Sequence, residues 1–387
     1  MDAFSIIIYL STFLVSLIFI HFGNQMMYVS FRGDSRKGQF KFYGIICVII
    51  GVLIPCILAS VRDITVGGDV KAYVTSNFVS SKLLISNGFW YYFENMPKDT
   101  EIGFAYILYL GNIFNSLGLS FFLIELFIII PVYIFLVKIR AQSSVTLGMA
   151  TFYFLSYNFS LSGMRGSIAM SLLLLAYYYL NEKKYKVAIP IILLAILFHN
   201  SAILLSVLYF VIAKLQKLKY GNIVKIMSLS FIVVLFLFTD KILSLLVSIA
   251  GFASARYVFY LSTYIGAGSI SDIPSTDLIC KLALIAIIYS WQHKYKKYTF
   301  GNLPFLYFAL IGRLFVLFNA IFYESMRIAF YFDMFLIPYA ASIYSCPIKR
   351  KFDRCVVSTI VILPSFLYWL YFIMYKGGYV TNVFKFR

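Results

Sequence analysis

Arg165 and His199 are the two residues of this sequence whose chemistry stands out, because each interrupts a long apolar stretch. A central arginine in a membrane-spanning segment costs roughly 2.5–3.5 kcal/mol on insertion scales, so such groups persist mainly where they face a polar cavity. A guanidinium binds phosphate oxygens through two parallel hydrogen bonds, and an imidazole accepts a proton near neutral pH. The two residues therefore predict a polar interior suited to an anionic substrate.

Loop charges place further ionisable residues near the same, external side of the predicted membrane. Structural alternatives exist for them, such as a surface ion pair between Arg62 and Asp69 or simple packing for His199. Arg327 could likewise pair with Glu324 one helical turn earlier. Together they favour a shared polar cavity, and the full set is Arg62, Asp69, Glu101, Arg165, His199, Arg256, Glu324 and Arg327.

The composition predicts the elements that position these residues. Hydrophobic residues make up 62% of the 387 residues, charged residues make up 12%, and the mean hydropathy is +0.88. Apolar runs of spanning length recur along the chain, which is typical of an all-α, polytopic membrane protein. We expect about 10–13 transmembrane helices with re-entrant segments, arranged as one integral membrane domain over residues 1–387.

The net charge of +18 raises the question of a nucleic-acid partner. The basic residues, however, lie in short loops between the apolar runs, as the positive-inside rule requires. A lipid-linked anionic substrate accounts for part of the remainder. We therefore expect membrane lipids and such a substrate as partners, and no nucleic acid.

Loop charge also predicts the orientation of the outer spans. The first span covers about Phe4–Phe22, and the basic loop after it is internal, so the N-terminus lies outside. The second span covers about Phe42–Ala59 and leads into a long external loop at about residues 60–101. The last span covers about Cys355–Tyr375.

Two central segments do not fit simple crossings. The run from Ile102 to Leu117 is interrupted by polar residues, which favours a re-entrant or surface segment. The run from Val187 to Ala213 is either one long crossing or two half-helices broken at His199-Asn200-Ser201. The lysines that follow favour the second alternative, with His199 at the tip of a hairpin. Irregular backbone at membrane depth is tolerated where it lines a cavity.

The sequence lacks the motifs of several soluble enzyme classes. There is no Walker A loop, dinucleotide-binding fingerprint, His-Glu-x-x-His zinc motif or Gly-x-Ser-x-Gly elbow. From the residues alone, the prediction is an external, anionic, lipid-linked substrate that is either moved or processed.

A series of short motifs resembles the EpsG-like family, the Wzy-type polymerases of bacterial O-antigen, capsule and exopolysaccharide. The resemblance covers about residues 60–340, and it departs from the family pattern at Gly68, where Thr is more common, and at Gly166, where Gln is. The motifs are Arg62-x-x-x-Val66-Gly67-Gly68-Asp69-x-x-x-Tyr73, Glu101-Ile102-Gly103-Phe104, Ser162-x-x-Arg165-x-x-Ile168-Ala169, Phe198-His199-x-Ser201-Ala202 and Met326-Arg327-x-x-x-Tyr331-Phe332.

The resemblance implies a GT-C-like glycosyltransferase in the bacterial cytoplasmic (inner) membrane, with its active site facing the periplasm. Its substrates would be undecaprenyl-pyrophosphate-linked oligosaccharide repeat units, and a chain-length regulator protein is a further expected partner. No nucleotide sugar, cofactor or metal is expected, since arginines can neutralise the leaving pyrophosphate. The alternatives are a lipid-linked oligosaccharide flippase or transporter, and a membrane O-acetyltransferase.

The same resemblance divides the candidate residues into two groups. Three are catalytic candidates, and any of them could be the base: His199, Asp69 and Glu101. A carboxylate beside arginines has a depressed pKa and orients better than it accepts protons, which favours His199. The predicted ligands of pyrophosphate or glycan are Arg62, Arg165, Arg256, Arg327, Glu324 and Tyr73.

Overall fold

The computed structural model describes residues 2–28, 37–98, 100–215, 226–230, 233–234, 273–294, 302–320, 325–345 and 351–387. Within these ranges the chain is helical, and the only β pairing is an isolated bridge between Arg62 and Phe386. Five of the described helices are long and apolar enough to cross a membrane: Ala3–Met27, Gly38–Val61, Leu117–Lys138, Ser325–Tyr344 and Cys355–Tyr375. This confirms an all-α, multi-pass membrane protein, while the total of 10–13 spans stays a prediction.

We number the described α-helices in chain order. They are α1 (Ala3–Tyr28), α2 (Lys37–Val61), α3 (Ser76–Ser80), α4 (Gly88–Glu94), α5 (Ile102–Ile113), α6 (Leu117–Lys138), α7 (Val145–Phe152), α8 (Asn158–Ser162), α9 (Met164–Asn181), α10 (Tyr185–Phe198), α11 (Ala202–Leu215), α12 (Ser275–Lys294), α13 (Asn302–Leu317), α14 (Ser325–Asp333), α15 (Leu336–Ala341) and α16 (Lys351–Tyr368).

The chain divides into two compact units. The first comprises Met1–Ser206 and Ile348–Arg387, and the second comprises Val207–Pro347. In the first unit, α1 packs along α2, and α6 packs against both α2 and α9. In the second unit, α13 packs against α12, α14 and α15.

The core of the first unit is rich in aromatic side chains. Phe13 stacks on Tyr153 with ring centroids 5.0 Å apart, and both rings also contact Tyr157. Trp369 packs edge-on against Phe13 and donates its indole N–H to Asn158 at 2.8 Å. Buried aromatic rings of this size contribute large apolar areas, and edge and stacked pairs add roughly 0.5–1.5 kcal/mol each.

The predicted external loop at about residues 60–101 is folded rather than irregular. It contains a π-helix at Val70–Thr75, a 3-10 helix at Lys82–Asn87, and the short helices α3 and α4. The Asn112 amide on α5 donates to the hydroxyl of buried Tyr92 at 3.0 Å and to the carbonyl of Phe78 at 3.1 Å. These bonds tie the short helices to α5.

The structure confirms the break in the second central segment, while the re-entrant or surface position of the first stays a prediction. Helix α5 has 12 residues, fewer than the about 20 that a spanning helix needs. The second run is broken at the predicted place: α10 ends at Phe198, His199 has an extended backbone (φ −159°, ψ 122°), and α11 begins at Ala202. Helices α10 and α11 have 14 residues each. His199 directly follows α10, and it therefore lies at a helix end rather than on a helix face.

Candidate active site

Three helix ends meet in the first unit and bring three of the predicted residues together. Glu101 is the residue that precedes α5, Arg165 lies in the first turn of α9, and His199 ends α10. Gly103 allows α5 to lie close to the end of α10, since a Cβ at this position would lie 2.8 Å from the carbonyl oxygen of Leu197. The close contact of α5 with the end of α10 therefore places the Glu101 carboxylate beside the imidazole.

Glu101 bridges the other two side chains through both of its oxygens. Nη1 of Arg165 donates to Oε2 at 2.7 Å, and Nδ1 of His199 lies 3.0 Å from Oε1. The Glu101 side chain is only 7% exposed, whereas those of Arg165 and His199 are 22% and 24% exposed. The bridge is thus anchored inside the protein and reaches the surface at both of its ends.

The charge state of Glu101 decides which atom of His199 is available. Burial would raise the pKa of the Glu101 carboxyl, but the hydrogen bond to His199 and the charge of Arg165 outweigh it, and the pKa is lowered. An ionised carboxylate only accepts hydrogen bonds, so Nδ1 of His199 is the donor in this contact. In the neutral tautomer that this contact selects, the lone pair lies on the second ring nitrogen, Nε2, which is the atom that can accept a proton.

Aromatic rings hold the Arg165 guanidinium in place. Its Cζ lies 4.9 Å from the ring centroid of Tyr73, on the π-helix, and 5.8 Å from that of Phe104, on α5. Cation–π contacts of this kind contribute about 0.5–2 kcal/mol and orient the planar guanidinium. Tyr73 is 40% exposed, so the Arg165 site has an aromatic side chain at its rim.

Asp69 and Arg62 are two other predicted site residues of the first unit. Asp69 is exposed and precedes the π-helix, where its carbonyl accepts the N–H of Tyr73 at 3.0 Å. Arg62 is only 1% exposed and donates to the carbonyl of Leu161 at 2.8 Å. This burial does not favour a direct role for Arg62 in substrate binding.

The remaining predicted residues belong to the second unit. Arg327 lies on α14 and is exposed. Arg256 and Glu324 lie outside the described residues. In the described ranges, no group of three or more His, Cys, Asp and Glu side chains is arranged to hold a metal ion.

The family model described as EpsG family matches residues 45–386. The chain belongs to the EpsG family. No curated protein and no solved structure matches it. Membership identifies this EpsG-family chain as a membrane protein of polysaccharide-polymerase-like type.

The motif analysis overlooked one buried charge cluster in this EpsG-family chain. In the second unit, Asp277 and Lys281 of α12 pair with each other, and both contact α13 or α14 through ion pairs to Arg313 and Asp333. A sequence signal existed, because an acid and a base spaced four residues apart in an apolar helix predict an intrahelical pair. Its partners on other helices could not be identified from sequence.

Proposed function

We propose that this EpsG-family protein is a polysaccharide polymerase that joins undecaprenyl-pyrophosphate-linked oligosaccharide repeat units at the periplasmic face of the bacterial inner membrane. Family membership supports the polymerase-like class. The observation that supports the chemistry is the bridge from Arg165 through Glu101 to His199. It combines a cation, an ionised carboxylate and an imidazole in one partly exposed place.

The proposed reaction is a glycosyl transfer between two lipid-linked substrates. A sugar hydroxyl of the incoming unit attacks the anomeric carbon of the growing chain, and a new C–O bond forms. The C–O bond to the carrier breaks, undecaprenyl pyrophosphate leaves, and the hydroxyl proton moves to Nε2 of His199. General base catalysis of this type contributes typically about 10²–10⁴-fold in rate.

Glu101 acts as the orienting carboxylate in this proposal. Its contact with Nδ1 selects the tautomer with a basic Nε2 and stabilises the imidazolium that forms when the proton arrives. Its lowered pKa makes Glu101 itself a poor proton acceptor. In this proposal His199 is the base, and Asp69 stays the alternative.

Arg165 provides positive charge for the departing pyrophosphate. A guanidinium remains charged at any physiological pH and binds phosphate oxygens bidentately. The rings of Tyr73 and Phe104 restrict its orientation, so less ordering is needed when charge develops on the leaving group. Exposed Asp69 and Tyr73 are suited to contact sugar hydroxyls, and Arg327 and Arg256 remain further candidates for the pyrophosphate.

A strain that lacks this protein tests the proposal directly. We expect it to accumulate glycolipid with a single repeat unit at the outer leaflet, measured by sugar-chain length on gels and by surface labelling. Repeat units trapped on the cytoplasmic leaflet would instead identify a flippase. Long chains that only lose acetyl groups would identify an O-acetyltransferase.

A further inference from the structure

Arg62 has an unusual environment for a charged residue. Its side chain is 1% exposed, its Cζ lies 4.3 Å from the ring centroid of Phe121, and its Nε has no hydrogen-bond partner among the described residues. No acid lies within ion-pair distance of it in the described part of the chain. Buried Glu125, whose Oε1 accepts the Ser160 hydroxyl at 2.6 Å, interacts with Arg62 electrostatically from beyond ion-pair distance. A buried charge is costly to desolvate, so the direct contacts of Arg62 need a physical explanation.

Those contacts lie on both sides of one bend in the chain. Helix α8 ends at Ser162, Gly163 has non-helical dihedral angles (φ −81°, ψ 51°), and α9 begins at Met164. Nη1 of Arg62 donates to the carbonyl of Leu161 at 2.8 Å, and Nη2 lies 3.2 Å from Sδ of Met164. The last carbonyls of a helix have no partner within it, so Arg62 caps α8 and also contacts the first residue of α9.

The chain segment that begins with Arg62 contacts the same bend a second time. Gly67 has φ +108°, and a Cβ there would lie 2.5 Å from the carbonyl oxygen of Leu161. Six residues later, Tyr73 places its ring against the Arg165 guanidinium. The segment from Arg62 to Tyr73 therefore contacts the start of α9 at both of its ends.

We propose that Arg62 is a positioning residue that fixes the bend between α8 and α9, and thereby the location of Arg165 relative to Glu101 and His199. The proposal rests on the proposed function for the role of Arg165. The guanidinium joins Leu161 and Met164, and Arg165 is the next residue in the chain. A displacement of ~1 Å at a reacting group can lower a rate ~100-fold, so a small movement of this bend matters.

Histidine NMR on the purified full-length protein tests this proposal without relying on activity. The chain has three histidines, so ¹⁵N-labelled histidine gives few signals, and His21→Asn and His293→Asn assign the remaining one to His199. We expect Arg62→Met to shift the His199 ring signals in protein that remains folded, and to reduce polymer formation about 100-fold. Arg62→Lys should restore little, because an ammonium lacks the planar fork that joins two acceptors.

Tyr153→Phe is the matched control. The Tyr153 hydroxyl also lies buried in the core of the first unit, where it is 2.6 Å from the hydroxyl of Ser16. This variant should leave the His199 signals and polymer formation unchanged. If Tyr153→Phe shifts the signals as much as Arg62→Met, general loosening of the core explains the effect and the positioning role is overturned.

A milder variant keeps the test decisive if Arg62→Met does not fold. Met164→Leu conserves volume and removes only the sulfur acceptor, so it should shift the His199 signals in the same direction by a smaller amount. Unshifted signals in folded Arg62→Met, or in folded Met164→Leu where the first variant is unfolded, would overturn the proposal. Shifted signals with normal polymer in Arg62→Met and Arg165→Lys would support the positioning role and contradict the proposed function.

Discussion

Two charged clusters in the described part of the protein differ in whether their ion pairs form a closed ring. In the second unit, Asp277, Lys281, Arg313 and Asp333 form a ring in which each acid contacts each base, and every side chain is at most 8% exposed. In the first unit, Arg165, Glu101 and His199 form an open row whose two ends are about a quarter exposed.

We interpret this difference as that between a structural brace and the proposed reaction site. The closed ring has equal numbers of positive and negative charges and no imidazole, so it joins helices α12, α13 and α14 without offering a group for proton transfer near neutral pH. The open row has one buried residue that orients two partly exposed ones, which is the arrangement that proton transfer and anion binding need. Closure and exposure are therefore better guides to function here than the number of charges.

The largest effect on polymer formation is expected at His199, one of the two partly exposed ends of the open row. His199→Ala should lower polymer formation about 100-fold or more at a normal protein level, because the base is lost. His199→Gln should restore little, since an amide cannot take the proton. Sugar-chain length on gels, beside an immunoblot of membranes, measures both.

His21→Ala is the control for that experiment, because His21 is exposed and its contacts are with Thr146, at 3.2 Å, and with the ring of Phe22. Long chains from His199→Ala would show that His199 is a packing residue and move the search for the base to Asp69 or Glu101.

Substitutions in the closed ring should lower the free energy of unfolding and not act on the reaction itself. Lys281→Met leaves two carboxylates with one cation, and breaking a buried pair in this way costs about 3–5 kcal/mol. Adding Asp333→Asn leaves the 2.6 Å pair between Arg313 and Asp277 intact, so the double variant should be the more stable of the two. Thermal unfolding of detergent-purified protein compares them.

The comparison would fail if Lys281→Met folded normally and lost polymer formation. The ring would then belong to the chemistry, and closure would no longer distinguish a brace from a site.

A smaller effect on polymer formation is expected at Arg165, the other end of the row. Arg165→Lys keeps the charge but loses the fork, and one lost charged hydrogen bond, worth roughly 1.5–3 kcal/mol, corresponds to roughly a tenfold to hundredfold decrease. Initial rates of polymer formation in membranes measure the decrease, with Arg140→Lys at an exposed position as the matched control. An Arg165→Lys enzyme with the rate of the wild type would argue against an anion site at this position.

The smallest expected effect is the pH dependence of the stability that Glu101 contributes. Because the pKa of Glu101 is lowered from 4.5 in the folded protein, its ionised form stabilises the fold above pH 4.5, and this contribution is lost as the pH falls through the lowered pKa. The difference in melting temperature between wild type and Glu101→Gln should therefore shrink as the pH falls below 4.5. A difference that grows below pH 4.5 would contradict the ion pair with Arg165.

Several parts of the fold could be predicted from sequence because they depend on local properties. The spans at about Phe4–Phe22, Phe42–Ala59 and Cys355–Tyr375 correspond to described helices, since the length of an apolar run determines whether it can cross a bilayer. The break at His199-Asn200-Ser201 is visible because polar residues interrupt a run that is otherwise continuous. The four short helical segments in the predicted external loop were missed because each is too short to show a period.

By itself, then, the sequence determined the membrane class, the long helices and the identity of Glu101, Arg165 and His199 as candidates. Their types and their apolar surroundings are properties of the chain. Only the tertiary structure decided that Glu101 bridges the other two, across 64 and 98 positions of sequence, and that Arg62 caps a helix inside the core. Contacts between residues so far apart depend on how helix ends pack, and no local pattern of charge or hydrophobicity encodes that geometry.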